Sequence, residues 1–346
     1  MNKELLFQLY GVFSPSGKEK KMRKFVKDYI RKNCGDCSVT QDKLGNLFIV
    51  KGQSETYPCV AAHLDQVQKY HTKDFTCMEV NDKVFGWSPK NMEQQGLGAD
   101  DKNGIWICLE CLRRYDVLKV AFFVGEEVGC EGSGDCDLDF FKDCRFIIEP
   151  DRRGSSDLIT DMFCGDVCSK EFVKAIDAES YGYTHDSGSI TDVGELVQRG
   201  VGISCLNLSC GYYRPHTDEE YTCLTELENC LDFVRHIIET CTDVYPFEYE
   251  RYSMQGYNSS YYSGYEEDDD YEMMDQLISQ NHEISFDEVC NDWCMNFNTR
   301  DKDILRDIYD DVRYYMGLDS NADFWNGMND DAGEIVFDLP QIKKVS

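Results

Sequence analysis

The stretch Val120-Ala121-Phe122-Phe123-Val124-Gly125-Glu126-Glu127-Val128-Gly129 constrains the fold more than any other part of the chain. An unbroken apolar β-run bounded by turn formers reads as a buried strand of a central sheet. In open α/β sheets, sites are built in the loops at the carboxyl ends of such strands. Here that end carries two adjacent carboxylates, Glu126 and Glu127. Neighbouring side chains at a strand end point in different directions, so one can hold a cation while the other handles a proton. The competing reading is an exposed acidic turn, and other segments decide between the two.

The same pattern recurs along the chain. Tyr57-Pro58-Cys59-Val60-Ala61-Ala62 is a second apolar run, and it ends in His63-Leu64-Asp65. Side-chain alternation puts His63 and Asp65 on the same side, so the carboxylate can fix an imidazole whose other nitrogen binds metal; a plain hydrogen-bonded histidine is the alternative. Gly96-Leu97-Gly98-Ala99-Asp100-Asp101-Lys102-Asn103-Gly104 leads into an apolar helix, with Asp100 just before its N-terminus. Asp100, Asp101 or Asn103 can also serve as an N-cap there. The run Cys144-Arg145-Phe146-Ile147-Ile148 delivers Glu149-Pro150-Asp151, whose two carboxylates face the same way. After a strand-like segment at 201–208, Gly211-Tyr212-Tyr213-Arg214-Pro215-His216-Thr217 sets a second histidine in a loop, and a helix follows from about residue 224 to 240. Imidazole and carboxylate oxygen at successive strand ends are the ligands that suit zinc or a related divalent ion.

A chain of 346 residues accommodates one α/β domain of about 240 residues and an appendage. Its 65 acidic against 35 basic residues, a formal net charge of −30, disfavour nucleic acid and anionic membrane as partners. The N-terminus lacks an apolar core of signal-peptide length, and no segment approaches the roughly 20 apolar residues of a membrane span, so a cytoplasmic protein is expected. The 18 cysteines are scattered through apparent strands and helices and read as mostly reduced, buried residues. Two CxxC pairs, Cys34/Cys37 and Cys108/Cys111, lack the companion pair that a zinc finger needs.

Helical spacing predicts helices over 3–10 and 19–32, separated by the breaker Ser14-Pro15-Ser16-Gly17, and two strands follow at 37–40 and 46–50. After Asp243 the composition shifts to Tyr, Ser, Gly and acid, which has too little aliphatic content for a core. The expected organisation is a catalytic domain over 1–243 without a full lid domain, an acidic linker over 244–271, and a small helical region over 272–346. That last region has helical spacing at 272–280, 286–295 and 301–316.

The motifs Ser14-Pro15-Ser16-Gly17, Asp42-Lys43-Leu44-Gly45-Asn46-Leu47, Ala62-His63-Leu64-Asp65, Gly98-Ala99-Asp100-Asp101-Lys102-Asn103-Gly104, Gly125-Glu126-Glu127-Val128-Gly129, Glu149-Pro150-Asp151 and His216-Thr217-Asp218-Glu219-Glu220 span about residues 10–240. In order and wording they resemble the di-zinc metallo-exopeptidase superfamily, in particular its peptidase T-like and glutamyl-aminopeptidase-like zinc peptidases. The resemblance implies an α/β fold with a mixed, mostly parallel central sheet flanked by helices, of the phosphorylase/hydrolase-like kind. It implies two divalent metal ions, zinc first, with cobalt or manganese as alternatives. His63 would bind one ion and His216 the other, Asp100 would bridge them, Glu127 and Asp151 would complete the two sets, and Asp65 would orient His63. Glu126 would be the general base. The implied partner is a short peptide substrate, cut at one end, and a homo-oligomer is compatible with the family.

Relatives use Asp or Glu in the fourth motif, and this chain offers both Glu149 and Asp151, of which Asp151 is taken as the ligand. Asp192 resembles a family Thr-Asp element near the active site, and an N-cap role accounts for it equally well. Arg152, Arg153 and Arg214 lie beside the implied ligands, where they either receive a substrate carboxylate or neutralise the acidic cluster. The 64 residues between Asp151 and His216 are too few for a full lid, which favours an aminopeptidase or tripeptidase. The alternatives are a deacylase of N-acylated amino acids and an inactive metal-binding or peptide-binding relative.

Overall fold

The computed structural model describes residues 1–162, 165–188 and 190–249, together with residues 285, 286, 289, 306, 309 and 313. The chain divides into two units, Met1–Tyr252 and Ser253–Ser346. In the first unit the helices are α1 (Lys3–Tyr10), α2 (Lys20–Asn33), α3 (Ala99–Arg114), α4 (Glu131–Asp135), α5 (Lys170–Ala175), α6 (Asp192–Gln198) and α7 (Leu224–Thr240). The strands are β1 (Cys37–Gln41), β2 (Leu47–Lys51), β3 (Tyr57–His63), β4 (Thr76–Val80), β5 (Lys83–Ser88), β6 (Glu93–Gln95), β7 (Leu118–Phe123), β8 (Cys144–Arg152), β9 (Asp157–Met162), β10 (Gly165–Asp166), β11 (Thr184–Gly188), β12 (Cys205–Ser209), β13 (Tyr212–Tyr213) and β14 (Tyr221–Cys223).

Among the described residues, the main sheet runs β1-β2-β7-β3-β8-β12-β9-β10, with β11 on β9. Its centre, β7-β3-β8-β12, is parallel, and antiparallel neighbours flank it. Every residue of β3 and β7 is buried. The period of two explains why: Val60, Ala62, Val120, Phe122, Phe146 and Ile148 enter one core, and Cys59, Ala61, Ala121, Phe123 and Ile147 enter the other. Residues of α1, α2, α3 and α7 fill the first core, and residues of α6 contribute to the second. Removing one such side chain, as in Phe122→Ala, costs about 3–5 kcal/mol because lost burial and a new cavity add together.

Parallel pairing brings the strand ends to one edge. The β3–β7 register sets His63 opposite Phe123, three residues before Glu126. The β3–β8 register sets Val60 opposite Ile148, which leaves His63 and Asp151 each three residues further along.

A second sheet, β13-β14-β5-β4 with β6 on β5, forms from residues the apolar pattern does not mark. Most of β4 is exposed and β5 is buried only at alternate positions, so neither reads as an apolar run. This sheet supplies the hairpin β13–β14, whose loop holds His216.

The start of the compositional linker is corrected by packing. Tyr245 N donates to Arg145 O at 2.9 Å, its carbonyl accepts from Ser204 N at 2.8 Å, and Phe247 and Tyr249 lie against the second core. Composition undercounts these aromatic anchors. Residues 250–271 of the expected linker lie outside the described residues, as does most of 272–346. In the second unit Phe286, Arg306, Tyr309 and Arg313 are helical, and the rings of Phe286 and Tyr309 are 5.5 Å apart. Among the described residues no helix is long and apolar enough to cross a membrane, and the cysteines are free thiols, Cys108 and Cys111 being buried in α3.

Candidate metal centre

The end of β7 is turned by Gly125, whose φ of 64° lies in the left-handed region that a Cβ disfavours. Glu126 and Glu127 then form a 3-10 turn. Asp65 fastens this turn to the end of β3: Oδ1 accepts Glu126 N at 3.1 Å and Oδ2 accepts Glu127 N at 3.3 Å. Ser16 Oγ donates to the same Oδ2 at 2.8 Å. Asn46 braces the segment from behind, its Oδ1 accepting Val124 N at 3.0 Å and its Nδ2 donating to Gly132 O at 2.8 Å.

Seven of the residues singled out from the sequence converge. His63 Nε2 lies 3.0 Å from Asp100 Oδ1, 3.5 Å from Asp151 Oδ1 and 3.9 Å from Glu126 Oε2. His216 Nε2 lies 3.0 Å from Glu127 Oε2 and 3.4 Å from Asp100 Oδ2. Asp100 therefore turns one oxygen toward each imidazole. The other nitrogen of His63, Nδ1, is 3.4 Å from Asp65 Oδ1. Asp101 supports the arrangement from the backbone side, accepting His63 N at 3.2 Å and Gly104 N at 2.8 Å.

Burial dominates the electrostatics. It pushes the carboxyls of Glu126 and Asp151 well above the usual range and raises Glu127, with the neighbouring acids adding to the effect. Burial lowers His63, but Asp151, Asp100 and Asp65 more than offset it and hold the imidazole well above its ordinary value. For His216 burial is likewise overcome, by Asp100 and Glu127, and the value rises to about 11. Asp100 is held well below the carboxylate range by the two imidazoles in spite of its burial. A site that pulls protons onto its imidazoles in this way is short of positive charge.

The atoms present fit a divalent cation. Glu127 Oε1 and Asp151 Oδ1 are buried with no hydrogen-bond partner, a condition that costs about 1–3 kcal/mol or more per charged group. His63, Asp100 and Glu127 each place a ligand atom within 4.8 Å of the others, and so do His63, Glu126 and Asp151. Imidazole nitrogen with carboxylate oxygen is a donor set for zinc or a related ion.

The remaining candidates fall elsewhere. Glu149 is buried and turned to α6, where Oε2 accepts Val193 N at 3.1 Å. Asp192 is not the cap of α6; Thr191 is, accepting Gly194 N at 3.3 Å. Asp192 is buried and takes Ser133 Oγ at 2.5 Å, and burial raises its carboxyl to about 7. Arg152 pairs with Asp157 at 3.2 Å and Asp186 at 3.4 Å, Arg214 pairs with Glu219, and Arg153 is exposed. The partners are acids outside the group that faces His63 and His216. The supporting residues Ser16, Asn46, Lys102 and Glu220 stand inside the motifs, yet spacing assigns them no job; Asp101, one of the cap candidates, takes Gly104 N, and Gln66 and Gln68 carry no sequence signal.

No protein-family model matches the chain, and no curated protein sequence matches it. Solved structures do. Aminopeptidase PepT from Bacillus cereus superimposes with a TM-score of 0.59 at 15% identity, over 70% of this chain and 100% of that one. A tripeptidase from Staphylococcus aureus gives 0.56 at 14% identity, over 69% and 97%. The TET1 peptidase of Pyrococcus horikoshii gives 0.50 at 16% identity, over 68% and 98%. At these identities the likeness shows the fold: the chain has the mixed α/β fold of these peptidases.

Proposed function

We propose that the protein is a metallo-exopeptidase that removes residues from the end of short peptides, of aminopeptidase or tripeptidase type. The observation that carries this reading is Asp100, with Oδ1 3.0 Å from His63 and Oδ2 3.4 Å from His216, the arrangement of a carboxylate shared by two cations. In this reading His63 and Asp151 serve one ion, His216 and Glu127 serve the other, and zinc is the first choice, with cobalt or manganese as alternatives. The bound ions would supply Lewis acidity to the scissile carbonyl and to the attacking water.

The chain's own residues would do the rest. Asp65 holds the Glu126–Glu127 turn by its backbone, which aims Glu127 at His216 and leaves the Glu126 carboxylate facing His63. A base whose affinity for protons is raised by burial is suited to take one from water and return it to the leaving amine. Likeness to solved structures named as an aminopeptidase and a tripeptidase supports the substrate class. The free thiols support a cytoplasmic setting, and the assembly named for the TET1 peptidase supports self-association, which native mass spectrometry tests.

Glu126→Gln should retain metal while hydrolysis of a di- and tripeptide panel falls by about 10²–10⁴-fold. A variant as active as the parent sinks the assignment. Running N-acylated peptides beside free ones separates peptidase from deacylase.

A further inference from the structure

Glu220 lies four residues after His216 on the same hairpin loop, just before β14, and it is fully buried. Its Oε2 accepts Gly98 N at 2.6 Å and Gln68 Nε2 at 3.2 Å, and Oε1 accepts Asp100 N at 3.2 Å. Both oxygens thus grip the turn that delivers Asp100. The buried Lys102 holds the same turn as well, its Nζ donating to Leu97 O at 2.8 Å and to Gln66 Oε1 at 2.6 Å. Gln66 Nε2 donates to Gln68 Oε1 at 2.9 Å, which closes a ring of side chains around the turn. The ring leaves no spare room: a Cβ on Gly98, at φ +63°, would stand 2.7 Å from Gln66 Cδ and 2.9 Å from Lys102 Nζ.

We propose that Glu220 is a positioning residue which ties the His216 hairpin to the Asp100 turn and so sets the second cation site. The proposal rests on the two-cation reading above. The hairpin needs such a tie. Arg214 and His216 both sit at positive φ, 53° and 65°, which costs about 1–3 kcal/mol each unless the surroundings hold them, and the His216 side chain is 46% exposed. His63, by contrast, is buried at the end of a central strand. Loss of Glu220 therefore frees both the hairpin and the Asp100 turn on the His216 side, while the His63 side, which shares only Asp100, is disturbed less. A carboxylate is required because two acceptor oxygens serve three donors. A glutamine amide keeps one oxygen and turns its NH₂ on an N–H group.

The test is a calorimetric titration of zinc into the chelator-stripped full chain, without peptide. The wild type should take up two zinc ions. Glu220→Gln should bind the second ion 10- to 100-fold more weakly and the first, through the shared Asp100, by a clearly smaller factor. Gln68→Leu removes a single donor from Glu220 and should weaken the second ion by a smaller factor. Wild-type affinity for both ions in Glu220→Gln overturns the proposal, as does equal weakening of both. If circular dichroism shows that Glu220→Gln does not fold, Gln68→Leu decides, and unchanged second-ion affinity there overturns it. A wild type that binds fewer than two ions overturns the underlying two-cation reading itself.

Discussion

At the scale of single residues, Asp65 carries more of the candidate site than its spacing from His63 implies. One carboxylate faces His63 Nδ1 and also accepts two N–H groups of the Glu126–Glu127 turn and the Ser16 hydroxyl. Burial opposes its charge, but His63, Ser16 and the Glu126 amide hold its pKa below the ordinary value. Asp65→Asn offers one oxygen where two are in use, so imidazole and turn lose their common reference. Zinc affinity or turnover should fall about 10- to 100-fold, read by zinc titration and peptide hydrolysis. A variant indistinguishable from the parent in both assays refutes the coupling. The H-x-D spacing exposes the His63 contact, because it depends on strand alternation. The contact to the turn 61 residues away has no such local signature.

At the scale of elements, the loop after β3 shows how a segment without an apolar run is still held in one conformation. His71 Nε2 donates to Gly96 O at 2.7 Å, and its ring stacks on Phe75 at 4.0 Å and tilts over Phe13 at 4.8 Å. Burial, helped by the Lys102 charge, lowers its pKa from 6.5 to about 4. The unfolded chain therefore binds a proton between these values that the folded chain refuses. Stability linked to His71 is complete above about pH 6.5 and is lost as the pH falls toward 4, by at most about 3 kcal/mol. Urea unfolding of the parent and of His71→Gln, compared from pH 7 to 4.5, should show a shallower acid decline in the variant. Parallel declines would mean that His71 is not the titrating group.

At the scale of the whole molecule, every residue of the candidate centre belongs to Met1–Tyr252. The fragment 1–252 should unfold in one cooperative transition and take up zinc with the stoichiometry of the full chain. Loss of zinc uptake would assign part of the centre to residues 253–346. Sequence alone determined the elements whose signal is local. The apolar runs of β3, β7 and β8 are legible because both faces of a central strand are buried, and α2 and α7 show helical spacing because one face is. It also determined where chemistry-bearing residues leave those strands, because imidazoles and paired carboxylates at strand ends are conspicuous against apolar runs. Tertiary structure alone decided which of them meet. It chose between Glu149 and Asp151 as neighbours of His63, gave Arg152 and Arg214 acidic partners, and built the second sheet that presents His216. The physical reason is that such choices rest on contacts like Glu220 to Gly98, 122 residues apart, which impose no periodicity on the chain and become visible once the strands are in register.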